Sequence, residues 1–131
     1  MPNILPNPAK VTFILCEIAR TEADGKLSLF GIYVGEEISV NGAASNPSVP
    51  IPALAPVFLI DDGEGTFDSV VEITGPIGNP IRLPMTVNLK PKIRGAVAGQ
   101  IFGLPLSAGQ HKVDLVLDGT HYPFKFNVKF T

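Results

Sequence analysis

Apolar and polar residues alternate with a period of two over much of this 131-residue chain, the pattern of strands that bury one face and wet the other. The closing segment is the clearest case. Tyr122, Phe124, Phe126, Val128 and Phe130 alternate with Lys125, Asn127 and Lys129, which gathers four of the ten Phe and Tyr rings on one stripe and predicts an anchor for the core. Ile81, Leu83, Met85, Val87 and Leu89 alternate with Arg82, Pro84, Thr86, Asn88 and Lys90. Pro84 has no N–H to give to a ladder, so this strand belongs at a sheet edge or a bulge. Shorter stripes follow Phe67, Val71 and Ile73, then Val113, Leu115 and Leu117.

A second pattern is apolar on both faces. Val11, Phe13 and Leu15 share one face of a strand, with Thr12, Ile14, Cys16 and Ile18 on the other, which predicts a position in the middle of a packed sheet. Ile14 and Ile18 also have helical spacing, but the β-branched and Phe opening and the turn Ala23-Asp24-Gly25-Lys26 favour a hairpin. Its partner runs from Leu27 to Val34, and a continuation would place Ile38 and Val40 on the face of Phe30, Ile32 and Val34. Gly31 and Gly35 mark a bulge or a change of sheet. Residues 57–60 and an apolar run over 95–104 complete the set, with turns at 61–65, 75–80, 105–110 and 118–119.

About eight short strands between turns predict a single all-β domain, an antiparallel β-sandwich over residues 10–131, with a closed barrel as the alternative. Residues 1–9, with Pro2, Pro6 and Pro8, read as an extended arm. Residues 41–56, with four prolines, read as a surface loop whose Val49, Ile51 and Leu54 are candidate contacts for a protein partner.

Composition sharpens this picture. Thirteen Gly and thirteen Pro among 45% hydrophobic residues argue against a helical protein and against disorder. A net charge of −2 gives no reason to expect nucleic acid or an anionic membrane as partner. Residues 1–72 hold ten acidic and three basic side chains and residues 73–131 two and seven, an asymmetry that averages out in space if the halves interleave. One cysteine excludes an internal disulfide. Without a leader-like N-terminus or a long apolar run, the expected setting is the cytoplasm.

Candidate chemistry is sparse. Cys16, His111, His121 and several Asp are the parts of a nucleophilic site, yet Cys16 sits among apolar neighbours and no nucleophile elbow is present, so the chain is read as non-enzymatic. His111 and His121, with Asp114 or Asp118, could meet across the last hairpin to hold a metal, though exposed hairpin positions suit both better. Asp61, Asp62 and Glu64 form an acidic turn, the best candidate for a hard cation, without the ligand spacing of an EF-hand. Arg82, Lys90, Lys92 and Arg94 lack interleaved aromatics for stacking bases, and the glycines of 95–109 match no phosphate loop, so no cofactor is expected.

The stretch Phe13-Ile14-Leu15-Cys16-Glu17-Ile18-Ala19, followed by Gly25-Lys26-Leu27-Ser28-Leu29-Phe30-Gly31-Ile32-Tyr33, resembles the opening of an uncharacterised bacterial family with a Leu-Cys-Asp-x-Ala, Gly-Lys-Leu-Asn and Gly-Ile/Val-Phe-Asp pattern. Glu17, Ser28, Tyr33 and Val34 depart from it. The resemblance implies a small bacterial β-sandwich of unknown function and supplies no catalytic residues. The expected role is therefore an interaction or structural module that self-associates; the alternative is a small-ligand or cation-binding module using loops at one end of the sandwich.

Overall fold

A computed structural model describes residues 3–131. Ten strands, β1 (Val11–Thr21), β2 (Leu27–Ile32), β3 (Glu37–Val40), β4 (Val49–Ile60), β5 (Gly65–Thr74), β6 (Ile81–Leu89), β7 (Gly95–Ala98), β8 (Ile101–Leu106), β9 (Gly109–Leu117) and β10 (Thr120–Phe130), form two packed sheets, so the domain is a β-sandwich. One sheet has the order β2-β1-β4, with β7 and β8 both on the far side of β4; the other has the order β3-β10-β9-β5-β6. Neighbours are antiparallel except β3, which runs parallel to β10. Two strands beyond the expected eight come from the four-residue β3 and from a break at residues 99–100 that divides one apolar run into β7 and β8.

The alternating stripes became the core because period two delivers every second side chain to one side. Phe58, Phe67, Phe126, Leu15, Leu54 and Ile60 are among its largest fully buried residues. Phe124 of one sheet meets Phe13 and Phe58 of the other, with ring centroids 5.4 and 5.7 Å apart, so aromatic contacts lock the sheets together. The doubly apolar β1 lies between β2 and β4, as its pattern requires. Its register sets Ile14 beside Val57 and Cys16 beside Ala55, and these side chains belong to a second, smaller cluster around Cys16, Ala55 and Val57. Pro84 sits on β6, an edge strand with β5 as its single neighbour.

Where β1 outruns β4, a side chain takes over the ladder. Gln100 accepts a hydrogen bond from Ala19 N at 3.1 Å and donates to Glu17 O at 2.9 Å, satisfying backbone groups that would otherwise lack a strand partner.

Two sequence expectations need correction. The chain does not carry one face from β2 into β3. It changes sheet through a 3-10 turn, Val34–Glu36, in which Gly35 takes φ 71°, so Ile38 is buried while Phe30, Ile32 and Val34 remain exposed. The proline-rich loop is also shorter than expected, because residues 49–56 belong to β4. Residues 49–54 pair with β8 alone, and a strand with one neighbour tolerates prolines; Pro50 stands opposite Pro105, and Pro56 O accepts from Gly99 N at 2.9 Å. The alternating apolar residues between the prolines then fill the core.

Candidate functional site

The acidic turn is a mooring for the N-terminal arm. Ile4 and Glu64 exchange both backbone hydrogen bonds, at 2.8 and 2.9 Å, and the Asp62 carboxylate accepts from Asn7 N at 2.9 Å. That bond and one from Gly63 N hold the Asp62 carboxyl below its usual range. Asp61 receives a two-pronged contact from Arg94, with the second arm at 3.1 Å. Asp61 and Asp62 are thus both engaged. Among the described residues, no group of three or more His, Cys, Asp or Glu is placed to hold a metal ion. Tyr122, buried on β10, donates to Pro6 O at 2.6 Å and fixes the arm from beneath. Pro2 lies outside the described residues.

The two histidines do not face each other. His121 stands opposite Val116, and His111 opposite Phe126. His121 is exposed and bonds Asp114 at 3.1 Å, a carboxylate that Lys112 also approaches at 3.5 Å. Among the described residues, no serine, threonine or cysteine side chain is hydrogen-bonded to this pair. His111 is not an exposed hairpin residue: it is 2% exposed, its ring stacked on Phe126 at 4.9 Å and 12°. Its Nδ1 contacts Gly109 O at 3.1 Å, and burial pushes the imidazole below its ordinary value against that bond. The interleaved aromatic that would have flagged this burial, Phe126, lies fifteen positions away and is brought opposite only by the register.

Cys16 is fully buried, and burial raises its thiol above the usual value, with Phe30 backbone opposing and Glu17 adding to the rise, so it stays protonated and unreactive at neutral pH. Val49 is half-buried, and Ile51 and Leu54 are core residues at 3% and 0% exposure. The loop contacts proposed from sequence are therefore corrected: Ile51 and Leu54 are spent on the sandwich.

Two features remain open to a partner. The first is the β1–β2 hairpin, which exposes Ile18, Phe30 and Ile32, with Val34 just beyond it at 88%. Ile18 and Phe30 are cross-strand partners, and Arg20, paired with Glu22, sits 5.6 Å over the Phe30 ring at the rim. The second is a pair of cavities that share His111 in their walls. One, of about 760 Å³, lies against Val11, Phe13 and Phe124, with Glu36, Lys112 and Lys125 in its lining. The other, of about 480 Å³, opens at the sandwich end between Ile73, Ile81, Leu104 and Leu106, under Ile77 and Pro105. Neither Asp114 nor His121 lines these cavities.

No known protein family matches the chain, and no curated protein sequence does either.

Proposed function

We propose that the protein is a non-enzymatic interaction module that pairs with a second copy of itself along β2. One observation carries this reading: Phe30 and Ile32 stand exposed on an edge strand that has no proline and no bulky charge of its own to block a further strand. The other edges are blunted. β6 carries Pro84, β8 carries Pro105, and β3 and β7 are each four residues long. Strand addition supplies affinity through backbone bonds, and the apolar side chains beside the edge supply burial. A second β2 brings both in self-complementary form about a two-fold axis, with Arg20 and Glu22 as the polar rim. The resemblance to a small bacterial β-sandwich family rests on residues 13–33, the same hairpin.

Hydrogen exchange across a dilution series tests the reading. The Leu27 and Leu29 amides, which point away from β1, are expected to lose protection on dilution while the β9 and β5 amides, and those of Ser28 and Phe30 that already face β1, keep theirs. Equal protection of β2 at every concentration would dismiss the edge as the docking surface.

A further inference from the structure

The cavity at the sandwich end has chemistry that the pairing of copies does not use. Its floor is Ile73, Ile81, Leu104 and Leu106, and among the described residues no charged side chain lines it. An ion entering it would shed water without gaining a counter-charge, so the lining selects an uncharged occupant. At 480 Å³ it falls in the range of small-molecule sites.

Ser48, Asn79 and Ser107 also border the cavity, and His111 gives it a buried directional group held in place by stacking. With Nδ1 against the Gly109 carbonyl, that nitrogen must be the donor, which leaves Nε2 with a lone pair. The described residues offer Nε2 no hydrogen bond. The ring cannot swing to find one, because Phe126 stacks on its face. Nε2 is turned toward Gly75 in the cavity wall: a Cβ at residue 75 would sit 2.9 Å from it. Gly75 has an ordinary backbone angle, so its missing side chain matters as space beside the imidazole and not as a turn requirement.

We propose that this cavity is a binding site for a small neutral molecule with an apolar body and one hydroxyl donor, a phenol or compact alcohol, whose O–H donates to His111 Nε2. The apolar body displaces water from the Ile and Leu floor, and the hydroxyl pairs with His111 Nε2, to which the described residues give no hydrogen bond. An isostere lacking the hydroxyl would leave that acceptor dry and unpaired, so discrimination of about tenfold or more is expected.

The test uses p-cresol and toluene, which share a shape and differ by the hydroxyl, titrated into the full chain and followed by amide chemical shifts. The proposal predicts saturable shifts at 75–79 and 104–111, with p-cresol bound about tenfold more tightly than toluene. Gly75→Ala, which fills the space beside Nε2, should weaken p-cresol by a similar factor; His111→Phe should erase the preference between the two probes. Equal affinities for the two probes in the wild-type chain would overturn the proposal, as would the absence of shifts in these segments at millimolar p-cresol. The wild-type comparison needs no variant to fold.

Discussion

Phe58 lies in the core at 0% exposure with Phe13 and Phe124 rings at 5.4 and 5.7 Å, so its truncation leaves a cavity that two aromatic neighbours cannot close. Phe58→Ala should cost about 3–5 kcal/mol in urea unfolding. His111 carries a pH signature. Burial lowers its folded value, so the unfolded chain takes up a proton at about pH 6.5 while the folded one resists it. Stability from this group is therefore complete above about pH 6.5 and declines as the pH falls below it. Thermal unfolding between about pH 7.5 and 5.5 should show that decline, and His111→Phe should flatten it. These residues were legible to different degrees. Phe124 and Phe126 stood on a visible stripe, but His111 interrupts its own stripe with a polar symbol, and its burial depends on a cross-strand partner that spacing along the chain does not reveal.

Among the elements, the N-terminal arm is strapped down by the Asp62 carboxylate, the Ile4–Glu64 bridge and the Tyr122 hydroxyl. Tyr122→Phe removes a buried donor from Pro6 O and should cost about 1 kcal/mol, with faster proteolysis within residues 3–9. Since Asp61 and Asp62 already serve Arg94 and Asn7, millimolar calcium should leave the melting temperature unchanged; a rise would reinstate the acidic turn as a cation site. The β4 segment shows where pattern reading fails. Prolines at 50, 52 and 56 signal a loop by local rules, yet the half of the strand that carries Pro50 and Pro52 has a single neighbour among the described residues, and Ile51 and Leu54 supply what the core needs. A tertiary fact, which strands lie beside it, overrode the propensity.

At the scale of the molecule, the acidic and basic halves of the chain interleave. Glu72 pairs with Arg82 at 3.7 Å and Asp61 with Arg94, and strands from both halves alternate in one sheet, so no acidic or basic lobe is set up to drive association. The contrast that survives is apolar against polar: Asp68, Glu72, Lys112 and Lys125 are distributed over the sheet of β10, β9 and β5, whereas β4, β7 and β8 carry no charged residue and the β1–β2 hairpin exposes Phe30 and Ile32. The sandwich and its edge strand β6 could be read from alternation and Pro84. The exposed face of the hairpin could not, because alternation placed Ile38 and Val40 on the face of Phe30, Ile32 and Val34, and the glycines 31 and 35 marked either a bulge or a change of sheet without deciding between them.

Light scattering on the wild-type chain and on Phe30→Lys, run side by side with a thermal melt of each, tests the central claim most directly. The account predicts a two-copy mass for the wild type at micromolar concentration and a single-copy mass for the variant, which should keep its fold because Phe30 lies outside the core. A wild-type chain that stays a strict monomer, or a dimer that Phe30→Lys leaves intact, would contradict it.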